Sequence, residues 1–433
     1  MEANFGSSES QSTSNRTGSS SRADKLAKDR KLEDWGFYHG IVSGEEAKEI
    51  LIENRDWLVR LVQKDGQSKI VVSIRWQGQV EHCELKYVDK KGWRGPDQCH
   101  YETVAELLRV AKSKQLAMST SGATLGRPVH RPKWKLNSDR VTLQTKLGEG
   151  QFGEVWLGLL QFKSYKLPVA VKVSRAKVSD KAIKDMIEEA KRQRYYIHKN
   201  VVRFIGLVAD KPPVQIVLEY CSGGSLRAYL MRNKGHVSEP QKLEFSRDLA
   251  LGMEYLATKH KLVHRDLAAR NCMVSSKGVC KIGDFGMSAD CEQSVDDSAK
   301  LPVKWMAPES LRRRSTGDFV FNTLSDVWSL GVVMWEINHD GKEPWHSLSA
   351  QEAADNIRNG RKLSIKAETA AGFRQVIQWC WSDYPENRPS FSQIRKKLDQ
   401  LCREHPFAGR QVSEVEITSG SGRTRDTSEN ISS

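Results

Sequence analysis

HRDLAARN occupies His264–Asn271, and DFG follows at Asp284–Gly286. Within this short span the chain offers two carboxylates, Asp266 and Asp284, and one amide, Asn271. Asn271 and Asp284 are hard oxygen donors of the kind that hold Mg²⁺, which takes few protein carboxylates and completes its shell with phosphate oxygens. Asp266 is a carboxylate of the kind that can take up a proton.

Upstream, LGEGQFGEV (Leu147–Val155) carries Gly148, Gly150 and Gly153 as G-x-G-x-x-G. That motif alone is weak, because dinucleotide sites share it. A dinucleotide loop joins a strand to a helix, whereas VTLQTKLGEG and EVWLGLL read as two strands. Glycines in such a hairpin let the backbone close over phosphates without Cβ clashes. Leu147, Gly148, Glu149, Gly150, Gln151, Phe152, Gly153, Glu154 and Val155 are the candidate nucleotide contacts. PVAVKV then puts Lys172 on the adjacent strand, and the helical stretch IKDMIEEAKR carries Glu188 and Glu189. A strand lysine held by a helix glutamate can secure the phosphates of ATP. Taken singly, the loop reads equally as an ordinary hairpin and the pair as a surface ion pair.

The combination in this order is specific to protein kinases. The chain from about Val141 to Cys402 resembles the protein-kinase domain, tyrosine-kinase branch. The resemblance implies a bilobal fold with a β-rich N-lobe and a helical C-lobe, using ATP with Mg²⁺ or Mn²⁺. It implies Asp266 as proton acceptor, Arg270 as the substrate-side cation, and Lys172 paired with Glu189, which precedes Ala190 as in related kinases. Asn271 and Asp284 would hold metal, and Glu219 and Cys221 would belong to the adenine-contacting hinge behind Leu218. Ala268 stands where serine/threonine kinases usually carry lysine, and Pro302 in LPVKW resembles the shelf for a tyrosine ring. Glu309 and Arg388 resemble the ion pair anchoring the activation segment, and Asp326 the residue supporting the catalytic loop.

Ahead of this region, WGFYHG, a helix opening at Ser43 with Glu46, the strand-like runs WLVRLV, KIVVSIRW and VEHCELKYV, and a helix opening at Thr103 with Glu106 give the order helix, strands, helix. Each opening reads as a capping box. The order implies an antiparallel sheet between two helices and resembles an SH2 domain. Arg60 would be the bidentate phosphate ligand, with His82 framing the phosphotyrosine pocket. Gly44 falls where many SH2 domains carry a first-helix arginine, which implies retained but weaker binding. SH2 followed by this kinase resembles the Fes/Fer family of non-receptor tyrosine kinases in its short form, without the family's long N-terminal membrane-binding part.

The expected fold class is thus α+β in two domains: residues 1–34 disordered and Ser-rich, with room for a short charged helix at Ala23–Asp34, 35–129 SH2, 130–140 linker, 141–404 kinase and 405–433 a disordered tail. In 433 residues with 38% hydrophobic content, no apolar run reaches a bilayer's thickness. Eight scattered cysteines without C-x-x-C pairs fit reduced thiols. The net charge of +14 suggests anionic partners, but basic residues are spread out, so nucleic acid is not expected. The expected partners are tyrosine-phosphorylated proteins and protein tyrosine substrates, and the expected location is the cytoplasm, with peripheral membrane recruitment through partners. A catalytically silent SH2 adaptor is the alternative function. A basic run at Arg312–Arg314 reads equally as a solvated loop or as a preference for acidic residues around the target tyrosine. Between Asp284 and Glu309 there is no tyrosine. Asp296, with Asp297 beside it, falls where relatives carry the regulatory one. A carboxylate brings less charge than the roughly −1.5 to −2 of a phosphate, so Asp296 would be a partial, permanent substitute. Phosphorylation of Ser294 or Ser298 is the competing route.

Overall fold

Ser43 accepts a hydrogen bond from Glu46 N–H at 3.0 Å and starts the first helix. In the computed structural model, which describes residues 30–64, 67–150, 153–175, 179–290, 301–312 and 320–407, the chain divides into two units, Met1–Lys133 and Trp134–Ser433.

In the first unit β1 (Tyr38–Ile41) precedes α1 (Gly44–Ile50), and β2 (Trp57–Lys64), β3 (Gln67–Trp76) and β4 (Gln79–Glu84) follow. The sheet order is β1-β2-β3-β4. The pairs β2–β3 and β3–β4 are antiparallel, as expected, and β1 adds a parallel edge. A smaller sheet comprises β5 (Lys86–Val88), β6 (Gly92–Arg94) and β7 (His100–Tyr101), before α2 (Val104–Ser113). Side chains alternate across a strand, so Val59, Leu61, Val72 and Ile74 meet Leu107, Leu108 and Ala111 of α2 in one core. Arg60 and Ser73 take the opposite face, towards α1. Thr103 caps α2 through Glu106 N–H at 3.1 Å. The Glu106 carboxylate reaches back to Glu102 N–H, one residue beyond the reciprocal bond of a capping box. The chain leaving this unit lies along β2, where Val129 N–H donates to Trp57 O at 2.8 Å.

In the second unit Trp134 O accepts from Leu207 N–H, so part of the stretch read as linker forms an edge strand, β8 (Lys135–Leu136). Then come β9 (Val141–Gly150), β10 (Gly153–Gln161), β11 (Lys166–Ser174), α3 (Asp180–Gln193), β12 (Phe204–Val208) and β13 (Gln215–Glu219). The sheet order is β8-β12-β13-β11-β10-β9. The remainder is mainly helical: α4 (Leu226–Arg232), α5 (Glu239–Lys259), α6 (Thr323–Asn338), α7 (Ala350–Arg358), α8 (Ala371–Cys380) and α9 (Phe391–Glu404). Helix α6 is buried from Ser325 to Asn338. A helix buried on all sides forms the centre of a domain, and Trp328, Leu330, Val333 and Ile337 of α6 lie in the core that it shares with α5 and α8. Among the described residues no helix is long and apolar enough to cross a membrane.

Candidate active site

The catalytic loop is suspended from α6 by two buried carboxylates. Asp326 accepts His264 N–H at 2.6 Å and Arg265 N–H at 3.0 Å. Glu336, near the other end of the helix, accepts Ala269 N–H and Trp305 Nε1–H through Oε2, both at 2.9 Å. Burial pushes the Asp326 carboxyl up to about 6 and that of Glu336 up to about 7. Arg265 has φ +68°, a costly conformation for a residue with a Cβ. The bond from its N–H to Asp326 helps to fix it there. His264 completes the frame: its Nδ1 accepts Asp266 N–H at 3.3 Å, and its Nε2 lies 3.1 Å from Gly283 O. That pattern fits a neutral imidazole protonated on Nε2.

These supports aim the reacting groups. Asp266 Oδ1 is held by Arg270, and Asn271 Nδ2 donates to Asp266 Oδ2 at 2.8 Å and to its backbone oxygen at 2.7 Å. With both amide N–H groups committed, Asn271 Oδ1 remains as an oxygen donor. Burial raises the Asp266 pKa against the opposing pull of Arg270, which favours its use as a base. Arg270 stacks over Trp305, 4.1 Å from the ring centroid. A chain of contacts thus joins Glu336 through Trp305 and Arg270 to Asp266, beside the buried Pro302.

Lys172 meets Glu189 at 2.8 and 3.0 Å and Asp284 at 3.2 Å. Glu188 instead pairs with Lys191, so the open choice between the two glutamates resolves to Glu189. Burial opposes the Lys172 charge, but Glu189 and Asp284 outweigh it and hold the ammonium above its usual pKa. Burial likewise opposes the Asp284 charge, and Lys172 lowers its pKa nonetheless. Asp284 has φ +54°. Its neighbour Phe285 turns into the C-lobe core beside Tyr196 and His264, at 5.1 and 5.4 Å between centroids. The lysine–glutamate pair is therefore formed and the DFG aspartate faces it. Phosphoryl transfer in kinases requires both.

The β9–β10 hairpin flanks the strand of Lys172, with Val155 of β10 opposite Lys172 of β11. A Cβ on Gly153 would lie 1.9 Å from Val173 O, so backbone approach demands glycine there. At Gly148 an added Cβ would meet nothing within 4 Å, so this glycine borders open space. Leu147 is half exposed, while Glu149 and Glu154 both pair with Lys146, away from the triad. Gln151 and Phe152 lie outside the described residues, as do Ser294, Asp296, Asp297, Ser298, Arg313 and Arg314. At the hinge the Glu219 side chain is taken by Lys281 and Arg203 N–H, leaving only backbone for a base. Cys221 N–H donates to no acceptor among the described residues, which suits reading an adenine. Its buried thiol is pushed up to about 12, against the reactivity that a hinge cysteine invites. Arg388, its side chain fully buried, makes a bidentate pair with Glu309 at 2.6 and 2.8 Å.

Among the described residues no cluster of three or more His, Cys, Asp or Glu side chains forms a metal cage. Asn271 Oδ1 and the Asp284 carboxylate fit instead a divalent ion whose remaining ligands are nucleotide phosphates.

In the first unit Arg60 is buried on β2. Its Nε donates to Ser73 Oγ at 2.9 Å and its Nη1 to Val42 O at 3.0 Å. Ser73 Oγ lies 2.9 Å from His82 Nδ1. Since Arg60 always donates, the Ser73 proton is free for Nδ1, and the remaining imidazole proton sits on Nε2. A Cβ on Gly44 would be 3.3 Å from that Nε2 and 3.9 Å from Arg60 Nη2, so the glycine opens the pocket to both. Ser73 was not legible beforehand: only strand register brings it between Arg60 and His82.

Comparison with known proteins identifies both domains. The profile of the protein tyrosine and serine/threonine kinase family matches residues 141–398, and that of the SH2 domain matches residues 37–110. Fer-related kinase 1 of Caenorhabditis elegans is 36% identical over 372 residues, covering 84% of this chain and 93% of the relative. Human tyrosine-protein kinase Fer is 34% identical over 402 residues, 89% of this chain and 46% of Fer. The transforming protein Fps of avian sarcoma virus (strain PRCII) is 34% identical over 374 residues, 85% of this chain and 68% of Fps. This chain thus spans about half the length of Fer. It belongs to the SH2-bearing non-receptor protein tyrosine kinases of the Fes/Fer family.

Proposed function

We propose that this kinase transfers the γ-phosphoryl group of Mg²⁺-bound ATP to protein tyrosines and is brought to them by phosphotyrosine docking at Arg60 and His82. The bound metal–nucleotide supplies the phosphoryl donor and neutralises its charge. Lys172, held by Glu189, orients the phosphates. Asn271 and Asp284 hold the metal, Asp266 takes the phenol proton, and Arg270, braced on Trp305, guards the substrate side. The observation that carries this reading is the closed Lys172–Glu189–Asp284 cluster beside an Asp266 fixed on both oxygens. Within the same reading, Asp296 substitutes for a regulatory phosphotyrosine. Metal-stripped protein titrated with Mg²⁺ regains peptide labelling, and Mn²⁺ substitutes for it. Asp284→Asn removes the response to either ion, and an undiminished response would reject the assignment. Arg60→Leu abolishes phosphotyrosine-peptide binding while leaving transfer to a short peptide intact.

A further inference from the structure

Arg60 spends Nε and Nη1 inside the fold, on Ser73 Oγ and Val42 O. Among the described residues its Nη2 makes no hydrogen bond. The neighbouring donor, His82, is neutral, because burial and then the Arg60 charge lower its pKa. One guanidinium thus faces a group that carries about −1.5 to −2 charge, and Gly44 adds no second cation. Lys69 shares the face of Arg60 and Ser73 but does not fill the gap. It lies four residues along β3 from Ser73, roughly 13 Å away, and is taken by Glu84 at 3.0 Å.

Lys48 is placed differently. It follows Gly44 by four positions on α1, so the two share a helix face. A long helical side chain lies back over the turn before it. Lys48 does so: its Nζ donates to Glu45 Oε1 at 2.9 Å and to Oε2 at 3.2 Å. It therefore stands over the turn that opens with Gly44. A Cβ on that glycine would lie 3.3 Å from His82 Nε2 and 3.9 Å from Arg60 Nη2, so no side chain separates this turn from the pocket. Helix α1 also packs on β4, the strand of His82. The Lys48 charge is felt at the imidazole, where it adds to burial and Arg60 in lowering the pKa.

We propose that Lys48 is the second cation of the phosphotyrosine pocket, exchanging Glu45 for the phosphate when the ligand binds. The inference rests on the Arg60–His82 pocket being a phosphotyrosine site. The Lys48 and Glu45 side chains are 49% and 81% exposed, and an ion pair so exposed contributes little. It gives way to a charge-assisted hydrogen bond to a phosphate oxygen. The ammonium carries three donors on a flexible stem, so the exchange needs a change of rotamer and no movement of α1. Glu45 then returns to water. In the free protein it restrains the pocket twice, by holding Lys48 and by placing a negative charge beside the phosphate site.

The test uses the full chain, a fluorescent phosphotyrosine peptide with uncharged flanks, and phenyl phosphate as a competitor that has no flanks. Lys48→Gln weakens peptide binding about fivefold to twentyfold, between the value of an exposed ion pair and that of a full charge-assisted hydrogen bond. Phenyl phosphate loses affinity by a similar factor, and Lys48→Arg keeps most of the binding. Glu45→Gln acts in the opposite direction and tightens both ligands about twofold to fivefold. A Lys48→Gln protein that binds the peptide within twofold of wild type overturns the proposal. So does a loss confined to the peptide, which would put Lys48 against the peptide chain and not the phosphate. If Arg60→Leu leaves the peptide bound as before, the pocket assignment itself fails, an outcome separate from the others.

Discussion

Replacing Glu336 by Gln separates what its carboxyl holds from what its charge costs. Oε2 accepts two donors, while Oε1 is buried without a partner among the described residues. Burial pushes the pKa up to about 7, against about 4.3–4.5 in an unfolded chain. Between those values the folded protein keeps a proton that the unfolded chain has lost. Stability therefore falls as pH rises through this window and levels off above about pH 8. The shift of about 2.5 units corresponds to about 3 kcal/mol in full, of which about 2 kcal/mol falls between pH 5.5 and 8.5. Gln keeps an accepting oxygen at the Oε2 position and does not titrate. Asp326, raised in the same direction, is present in both proteins and cancels. Thermal melts of wild type and Glu336→Gln should therefore diverge as pH rises. For a domain of this size, about 2–4 °C per kcal/mol gives a gap widening by about 4–8 °C from pH 5.5 to 8.5. Glu336→Ala, which orphans two donors at roughly 1–3 kcal/mol each, is less stable than Glu336→Gln at every pH. Parallel curves for wild type and Glu336→Gln would refute the titrating buried carboxyl. Equal stability of the Ala and Gln variants would refute its role as anchor.

Glu309→Ala strands the buried Arg388 guanidinium. Breaking a buried pair in this way costs about 3–5 kcal/mol, or roughly 6–20 °C in Tm, and a drop under about 2 °C would contradict it. Lys172→Met lowers kcat at least about a hundredfold, the scale for losing one preorganised charge contact, and lowers the melting temperature as well, because the buried Glu189 loses its cation. Glu189→Gln lowers kcat less, because Asp284 still meets the ammonium. Brief treatment of native protein with iodoacetamide, read by mass spectrometry, labels the exposed Cys99 and spares Cys221, buried with its thiol near 12; labelling of Cys221 first would show a hinge more open than described.

The motifs that carry the chemistry were legible because phosphoryl transfer restricts residue type at close spacing. HRDLAARN, DFG, the glycine loop and Lys172 needed no tertiary information. Glu189 was chosen over Glu188 by its neighbour Ala190, and a physical signal stood beside it: Met186, Glu189, Ala190 and Gln193 follow the helical period and form the buried stripe of α3. The supports were less legible. Glu336 lies amid apolar residues of α6, and only the fold brings Ala269 and Trp305 to it. Glu219 was expected at the hinge, yet nothing local foretells that Lys281 claims its side chain.

The central claim is that Asp266, fixed by Arg270 and Asn271, accepts a proton from a tyrosine. The most direct measurement is transfer from labelled ATP to two peptides that differ only in carrying Tyr or Ser and Thr, by wild type and by Asp266→Asn. The account predicts labelling of the Tyr peptide alone, reduced at least about a hundredfold in Asp266→Asn. Comparable labelling of the Ser/Thr peptide, or an Asp266→Asn protein as active as wild type, would contradict it.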